Sequence, residues 1–426
     1  MTRRLNRYLA VFCLLFSCVL IGLNWQSLVQ TSVFHIANEG ETVIGSEAYY
    51  ALNMTRQSLI NNAKKLNEEL QQVLKKPLKT HSHTSRAILV YLPPKMPKYN
   101  KELKWMLLSI AWMRTTQPDL VKTDLIVFTA PGEFAYAISL GCVPNVSRTE
   151  FDDPERCIVM EHVSLKTRGG QILDEYSQYV DSILILSEFE FGDRYDVILR
   201  SDTDVFITPA FATWSLPAGT SIVTGKGGYN VDNSRKHLKW IAKTKLGLAD
   251  HGITNIGSTW VGTADVLVAA ARLTVAAMEW MHTQEFSKYE KTAAGVDGWP
   301  HWHWPVLLLY GGHIAINQIP TNQVFVSDSE SSAALDFRSS STVPIPAVVL
   351  HIHCWQNDMI FSKYQFQAGK YKDMDLGNYT QMISAADLSV TIAVSSDRMT
   401  LNDYATITRD PVKMKNREWI RPNSIR

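Results

Sequence analysis

The pattern of apolar and polar positions between residues 86 and 207 predicts strands that alternate with helices. Short runs rich in β-branched residues are typical of strands, and longer segments with apolar residues at every third or fourth position are typical of helices. The strands are predicted at 86–92, 124–129 and 157–160, and the helices at 101–115 and 171–186. This alternation indicates an α/β fold around a parallel sheet with right-handed crossovers.

The next apolar run, at 195–207, contains two carboxylates, Asp202 and Asp204, one residue apart. A buried strand here would carry both to its carboxyl end, where open α/β sheets bind ligands. Such a pair suits a hard divalent cation that itself holds a diphosphate. A polar turn after a strand is the simpler interpretation, and the chain has a second D-x-D, Asp373-Met374-Asp375, which follows no strand.

A late apolar run, at 347–355, ends in two alternating histidines, His351 and His353. Strand geometry places both on one face. One of them could join the two carboxylates on a metal, and a purely structural role is the alternative.

Between the two regions, residues 264–281 predict a buried helix. The glycine-rich segments at 221–228 and 254–262 indicate either close backbone approach to a ligand or ordinary turns.

An aromatic segment at 296–305 contains Asp297, Trp299, His301 and His303. Two prolines interrupt the helical spacing that the histidines would need as metal ligands. Tryptophan rings beside a carboxylate are typical of a surface that stacks on sugars. A structural aromatic cluster is the alternative.

The N-terminus has the pattern of a membrane anchor. Three arginines precede an uncharged, mostly apolar run at 8–25, and a helix needs roughly 20 such residues to cross a bilayer. Positive charge on the N-terminal side predicts a cytoplasmic N-terminus. A cleaved signal peptide is the alternative, although no small-residue cleavage motif follows the run.

The predicted organisation is therefore a cytoplasmic tail at 1–7, the anchor at 8–25, a stem at 26–85, a catalytic domain at 86–372, and a C-terminal extension at 373–426 that packs on this domain. Within the stem, apolar residues repeat with heptad-like spacing on a helix that Pro77 ends. The stripe consists of Leu59, Ala63, Leu66, Leu70 and Val73. It predicts either a homodimer through the stem or one helix that lies on the catalytic domain.

Composition and cysteine usage narrow the function. The 426 residues carry a net charge of +1, which offers no basic surplus for nucleic acid. Cys142 and Cys157 bracket a polar loop and could pair, which would leave Cys354 free, and no CxxC pair suggests zinc. Three glycosylation sequons, at 53–55, 145–147 and 378–380, agree with a lumenal location. No G-x-G-x-x-G follows the first strand, which argues against a dinucleotide cofactor.

The chain resembles the metal-dependent glycosyltransferases of the GT-A fold. The resemblance rests on the anchor, the stem, the α/β half that ends in Leu199-Arg200-Ser201-Asp202-Thr203-Asp204, the element Asn255-Ile256-Gly257, and the late strand histidine. It covers about residues 86 to 372. The chain departs from the glycogenin-like pattern, because no Lys-Pro-Trp follows the histidine and Cys354-Trp355-Gln356 stands there instead.

The resemblance implies a single-pass enzyme of the Golgi or ER membrane. It would transfer a hexose or pentose from a nucleotide sugar, most often a UDP-sugar, to a lumenal glycan or glycoprotein. A divalent cation, Mn²⁺ or Mg²⁺, would be held by Asp202, Asp204 and one of His351 or His353. Asp204 would be the direct ligand, and Asp202 would touch the ribose or a metal-bound water.

The resemblance also implies roles for residues outside the metal cluster. Lys166 or Arg168 would pair with the donor, unless both are solvated loop charges. Asn255, Gly257 and Trp299 would contact the acceptor. In an inverting enzyme Asp297 would act as the base, with Glu285 and Asp265 as weaker choices; in a retaining enzyme Asp297 would only orient the acceptor.

Two other functions remain open. A haloacid-dehalogenase-like phosphatase also begins with a strand and D-x-D, but it requires Thr or Val two residues after the second Asp, where this chain has Phe206. A membrane-anchored lumenal protein that uses the fold only for binding is the second.

Overall fold

The computed structural model describes residues 46–76, 83–144, 154–168, 172–176, 179–190, 192–229, 232–292, 301–327, 333–354, 360–379 and 384–409. The chain divides into two compact units, Met1–Ser58 and Leu59–Arg426. The described part of the first unit is the beginning of a helix. The second unit contains the sheets and the candidate site.

The described strands are β1 (Thr84–Tyr91), β2 (Val121–Thr129), β3 (Val143–Pro144), β4 (Cys157–Glu161), β5 (Val197–Arg200), β6 (Val205–Ile207), β7 (Ile222–Lys226), β8 (Ile256–Thr263), β9 (Val324–Val326), β10 (Phe337–Arg338) and β11 (His351–His353). The described α-helices are α1 (Ser46–Leu74), α2 (Pro97–Arg114), α3 (Ala135–Ser139), α4 (Leu165–Arg168), α5 (Asp181–Ser187), α6 (Ala210–Thr213), α7 (Asp232–Trp240), α8 (Ala264–Gln284), α9 (Leu307–Ile316), α10 (Lys363–Gln367), α11 (Ala385–Arg398) and α12 (Leu401–Arg409).

A mixed eight-stranded sheet forms the centre of the second unit, in the order β3-β4-β2-β1-β5-β8-β7-β9. The β1, β2, β4 and β5 strands are parallel, as the alternation of strands and helices predicts. The sheet is not parallel throughout, because β8, in a segment where no strand was predicted, runs antiparallel to both β5 and β7. The fold is nonetheless α/β, with a large sheet rich in parallel pairs.

The sheet separates two hydrophobic cores because alternate residues of a strand point to opposite faces. In β1, Ile88 and Val90 belong to one core, and Ala87 and Leu89 belong to the other. The α2 and α11 helices cover the first face, and α8 covers the second. This burial on both faces explains why the strands are continuous apolar runs rather than alternating ones.

A three-stranded sheet, in the order β10-β11-β6, stands beside the large one. The apolar run predicted at 195–207 therefore divides into two strands, because β6 leaves the main sheet after the D-x-D and pairs antiparallel with β11. In this register His353 lies opposite Val205. The pairing brings the late histidine strand to the two carboxylates.

Two predicted elements are shorter than expected. The helix predicted at 171–186 begins only at Asp181, because Tyr179 has a φ of 60°, which an α-helix does not allow. The late strand predicted at 347–355 is limited to His351–His353. Turns on its N-terminal side replace the expected extended run.

The heptad-like stripe packs into the second unit. Leu59, Ala63 and Leu70 are buried in the core on the α8 face of the sheet. Of the two interpretations of this stripe, the structure therefore shows the helix lying on the sheet domain. The predicted homodimer through the stem is untested.

Cys142 and Cys157 form a disulfide, and Cys354 is a buried free cysteine, as the sequence suggests. Among the residues that the structure describes, no helix is both long and apolar enough to cross a bilayer. The predicted anchor at 8–25 lies outside those residues.

Candidate functional site

The D-x-D carboxylates lie in the loop between β5 and β6, at the carboxyl end of β5. The Asp204 side chain is nearly buried, at 9% exposure, whereas Asp202 is 31% exposed. The guanidinium of Arg200 donates a hydrogen bond of 3.0 Å to Oδ1 of Asp202. Arg200 is itself buried and donates to the carbonyl oxygens of Ser182 and Ser258. Asp202 is thus held in place from the interior of the sheet.

His353 completes a group of three possible metal ligands. One donor atom from each of Asp202, Asp204 and His353 lies within 4.8 Å of the others. The imidazole Nε2 of His353 is 3.3 Å from Oδ1 of Asp204. The antiparallel pairing of β11 with β6 produces this proximity, because it aligns two segments that are about 150 residues apart in the sequence.

Asp336 orients the imidazole of His353 from behind. Its Oδ1 is 3.1 Å from Nδ1 of His353 and accepts a hydrogen bond of 2.7 Å from Thr259. A carboxylate at Nδ1 favours the tautomer with its lone pair on Nε2, the atom that faces Asp204. Carboxylate–imidazole pairs of this kind are typical of metal-bound histidines.

The pKa shifts show that Asp204, Asp336 and His353 favour one another's charged forms. Burial by itself would raise the pKa of Asp336, but hydrogen bonds to His351 and His353 outweigh it, and the pKa falls far below its usual range. Burial would lower the pKa of His353, but Asp204 and Asp336 raise it well above its ordinary value. The pKa of Asp204 also falls despite burial, because His353 and Lys363 favour its charged form.

His351 occupies a different position from His353. It is fully buried, and its Nδ1 accepts a hydrogen bond of 3.3 Å from the backbone N–H of Asp336. Its Nε2 is 2.8 Å from the hydroxyl of Ser201, which in turn donates to the carbonyl of Asp202. Both ring nitrogens are therefore engaged within the protein. Of the two histidines proposed as ligands, the structure brings only His353 to Asp202 and Asp204, and His351 supports the D-x-D loop.

Lys363 and Glu102 also contact the D-x-D loop, and the sequence patterns did not reveal either. The ammonium of Lys363, at the start of α10, forms an ion pair with Oδ2 of Asp204. Glu102 on α2 accepts a hydrogen bond of 2.8 Å from Thr203, and burial together with the charge of Asp204 raises its pKa to about 8. No motif identifies these two residues, because Glu102 lies far before the D-x-D loop in the sequence and Lys363 lies far after it.

Asp336 had one weak signal in the sequence. It is a single carboxylate within the mostly apolar segment 333–337. Its φ of 55° is a left-handed conformation that few residue types tolerate, and aspartate is one of them.

The remaining residues proposed from the sequence lie in several places. Lys166 is exposed on α4, and the backbone of Arg168 ends that helix. Asn255 has a φ of 62° and accepts a hydrogen bond of 2.6 Å from the N–H of Gly228. Gly257 packs so closely on β7 that a Cβ would lie 2.7 Å from the carbonyl carbon of Gly225. Asn255 and Gly257 thus tie the start of β8 to β7, and their contact with an acceptor remains a prediction. Asp297 and Trp299 lie outside the described residues, and so does the side chain of Arg168.

Gly225 provides a test of the support behind His353. A Cβ at this position would lie 1.8 Å from Oδ2 of Asp336. We expect Gly225→Ala to displace Asp336 and to lower the free energy of unfolding by about 1–3 kcal/mol, the usual cost of overpacking. Thermal unfolding and Mn²⁺ titration would measure the two effects.

Gly377→Ala is the matched control, since its Cβ would come no closer than 3.3 Å to the end of the exposed Asp375 side chain. Wild-type stability and Mn²⁺ affinity in Gly225→Ala would contradict the close contact.

The donor set fits a divalent cation. Two carboxylates and one imidazole, whose Nε2 proton a bound cation would displace, supply oxygen and nitrogen ligands, which suit Mn²⁺ or Mg²⁺ better than a thiol-preferring metal. The ligand atoms converge at a sheet edge, with Asp202 and His353 partly open to solvent. The arrangement can hold a cation with positions left for a ligand.

Comparison with known proteins places the chain in a family and finds distant structural relatives. A family model described as a domain of unknown function, DUF7164, matches residues 80–421, and the chain belongs to this family. No curated protein matches the chain.

Among solved structures, the chain is similar to the WbbM bifunctional glycosyltransferase at 8% identity and a TM-score of 0.36, over 75% of this chain and 51% of that one. It is similar to the galactosyltransferase LgtC at 10% identity and a TM-score of 0.37, over 66% of this chain and 94% of that one. It is also similar to mouse xyloside xylosyltransferase 1 at 11% identity and a TM-score of 0.31, over 60% and 87% respectively.

Proposed function

We propose that this protein is a metal-dependent glycosyltransferase of the GT-A type that transfers a sugar from a nucleotide-sugar donor to a glycan or glycoprotein. The observation that carries the proposal is the convergence of Asp202, Asp204 and His353 at the carboxyl end of β5. Ligands of α/β sheets bind at this edge. Hard, mostly anionic ligands there suit a cation that also binds a diphosphate.

A cation bound by this cluster would assist sugar transfer. When the sugar leaves, negative charge grows on the departing nucleoside diphosphate, and a bound Mn²⁺ or Mg²⁺ would supply Lewis-acid stabilisation of that charge. Asp204 and His353 would hold the cation, and Arg200 keeps Asp202 oriented toward the same point. Asp336 holds the imidazole so that Nε2 faces the cluster.

Lys363 supplies a second positive charge at the same place. Its ammonium contacts Asp204, and its side chain is 18% exposed. A lysine is a flexible cation with three donors, and lysines commonly bind phosphate oxygens. We therefore assign Lys363 to the donor diphosphate, in addition to the exposed Lys166 and to Arg168, which the sequence resemblance suggests.

Two exposed tyrosines flank this point. Tyr179 and Tyr364 are both largely accessible. Partial burial raises the pKa of Tyr179, and nearby Tyr99 and Asp202 raise it further, whereas Lys363 lowers it. A base or sugar ring of the donor could stack on such a side chain.

The compartment and acceptor side belong to the same proposal. The Cys142–Cys157 disulfide supports an oxidising lumen, because structural disulfides persist there and are rare in the cytosol. The apolar run at 8–25 would anchor the chain in the Golgi or ER membrane. Asp297 as the base and Trp299 as an acceptor contact complete the proposal.

Donor screening tests the proposed function. The purified chain with Mn²⁺ is incubated with a panel of UDP- and GDP-sugars, and release of the nucleoside diphosphate is measured with and without a chelator. We expect release with one donor, which the chelator abolishes. Absence of release from every donor, together with absence of metal-dependent UDP binding, would contradict the proposal. A phosphoaspartate trapped on Asp202 would identify a haloacid-dehalogenase-like phosphatase instead.

A further inference from the structure

A basic and aromatic surface lies on α7 and on the π-helical turn that continues it, Ile241–Leu246. The buried side of this segment includes Leu238 and Ile241. Its exposed residues include Lys236, Lys239, Trp240 and Lys243. Residues 232–245 contain five lysines or arginines and a single acidic residue, which pairs with Arg235. The segment therefore presents excess positive charge to solvent.

A groove of about 470 Å³ opens on this surface. It is lined by Asn233, Ser234, Lys236, His237, Trp240 and Trp302. The lining combines aromatic rings with an amide, an imidazole and an ammonium group. Small-molecule sites combine apolar walls with a few polar groups in this way, and the volume lies within their usual range.

The aromatic wall of the groove is held rigidly. Trp302 stacks in parallel on Phe286 and on Tyr310, with ring centroids 4.8 Å and 4.5 Å away. The imidazole of His237 meets Trp302 edge to face at 4.4 Å, and its Nε2 is 3.4 Å from a carboxylate oxygen of Glu285. A wall fixed by this many contacts loses little conformational entropy when a ligand binds.

Trp240 provides the exposed ring of the groove. It is 41% exposed and stacks beside His237 at 5.4 Å. The ammonium of Lys245 lies 4.3 Å from the Trp240 ring centroid, a distance typical of a cation–π contact. The indole therefore holds a positive charge within reach of any ligand that packs against it.

The segment that carries the groove follows β7, whose carboxyl end lies at the same edge of the sheet as the metal-ligand cluster. The β7 strand ends at Lys226, at the same edge as the end of β5, and α7 begins six residues later. Gly225 at the end of β7 closely approaches Asp336, which supports His353. The chain that leads from β7 to the groove thus starts at the edge where sugar transfer would take place.

We propose that this groove binds an anionic segment of the acceptor glycan, one that carries carboxylate or sulfate groups; the assignment to an acceptor rests on the proposed function. Pyranose rings pack their C–H faces on aromatic side chains, and the Asn233 amide offers hydrogen bonds to hydroxyl groups. Lys236, Lys243 and Lys245 match the negative charge. Rings and polar groups gathered in one shallow groove favour a glycan over an anionic membrane, which would be met by protruding apolar side chains.

Direct binding tests the groove without metal or donor. The purified full chain, in the presence of EDTA, is titrated with a heparin-derived hexasaccharide, with its desulfated and carboxyl-reduced neutral counterpart, and with phosphatidylserine vesicles. Isothermal titration calorimetry and tryptophan fluorescence report the dissociation constants. Because EDTA removes the cation, this result is independent of donor screening, and failure of one proposal is distinguishable from failure of the other.

We expect the anionic hexasaccharide to bind and the neutral one to bind at least roughly fivefold more weakly, with an affinity that falls as salt rises. The variants Trp240→Ala and Lys236→Gln/Lys243→Gln should each weaken binding by roughly fivefold to tenfold, the size expected for a few surface contacts. The variant Lys75→Gln/Lys372→Gln removes the same charge from exposed positions elsewhere and should retain wild-type affinity.

Circular dichroism of each variant separates lost binding from lost folding. Equal affinity in Trp240→Ala, in the lysine variants and in the control would overturn the proposal. Binding of the vesicles without binding of the hexasaccharide would also overturn it, in favour of a membrane surface.

Discussion

Replacing Asp204 with asparagine is expected to weaken Mn²⁺ binding by more than about 100-fold, since loss of a mere supporting partner already costs about 10- to 100-fold. Asp204 contributes the most buried carboxylate of the cluster and contacts both His353 and Lys363. Asparagine keeps the shape but removes the charge that attracts the cation. The Lys363 ammonium would then lack its carboxylate partner, which further disfavours a cation at this point.

Isothermal titration calorimetry with Mn²⁺, and with UDP in the presence of Mn²⁺, measures the effect. In the wild-type protein, Mn²⁺ at about 100 times its dissociation constant should also raise the free energy of unfolding by about 2.7 kcal/mol. Asp204→Asn should lose this stabilisation.

The matched control for Asp204→Asn is Asp375→Asn, in the second D-x-D of the chain. Asp375 is exposed and accepts a hydrogen bond of 2.9 Å from the N–H of Gly377, two residues later. Its substitution should leave Mn²⁺ affinity at the wild-type value. If Asp204→Asn bound Mn²⁺ as tightly as the wild type, the cluster at the end of β5 would not be the metal site.

Asp336→Asn is expected to have the second large effect, on metal affinity and on stability together. Asparagine tolerates the left-handed backbone that Asp336 adopts, so the backbone should be retained. It removes the negative charge at Nδ1 of His353, and the orientation of Nε2 toward the cluster becomes weaker. Mn²⁺ affinity should fall by about 10- to 100-fold. The free energy of unfolding should fall by about 1–3 kcal/mol, because the buried hydrogen bonds that Asp336 makes with Thr259 and His353 are disturbed.

Asp124→Asn distinguishes a positioning role of Asp336 from a general loss of stability. Asp124 is a fully buried carboxylate on β2, bonded to Tyr195 and to the backbone of Arg156. We expect Asp124→Asn to lower stability while Mn²⁺ affinity is retained. Equal loss of stability in both variants, with no change of Mn²⁺ affinity in Asp336→Asn, would mean that Asp336 is only structural.

The sequence alone predicts the parts of the fold that depend on local periodicity. Apolar runs identify β1, β2 and β4 to within a few residues. Strands that are buried on both faces are nearly continuous apolar runs, which can be recognised in the sequence without knowledge of the neighbouring strands. The spacing of Cys142 and Cys157 around a polar loop also anticipates their disulfide. Prediction is weaker where one residue interrupts a pattern, as Tyr179 does with its positive φ.

Half of the candidate site is likewise visible in the sequence. Asp202 and Asp204 follow a recognisable strand, and the alternating histidines end another. The local sequence therefore predicts correctly that each pair lies at the end of a strand. The choice between His351 and His353 depends on the pairing of β11 with β6 and on Asp336, which contacts both rings. The sequence contains no signal for that choice.

Only the tertiary structure decides the rest. Packing of the whole unit brings together three distant segments: Lys363 and Glu102 contact the D-x-D loop, and Asp336 contacts His353. The antiparallel pairing of β8 with β7 is likewise a long-range feature, and it brings Gly262 so close to Ser221 that a Cβ would lie 2.3 Å from the Ser221 carbonyl oxygen. The sequence by itself therefore determined the α/β framework and the carboxylate pair, since both are local patterns. Long-range strand pairing and side-chain packing decided which histidine, which supporting carboxylate and which lysine complete the site.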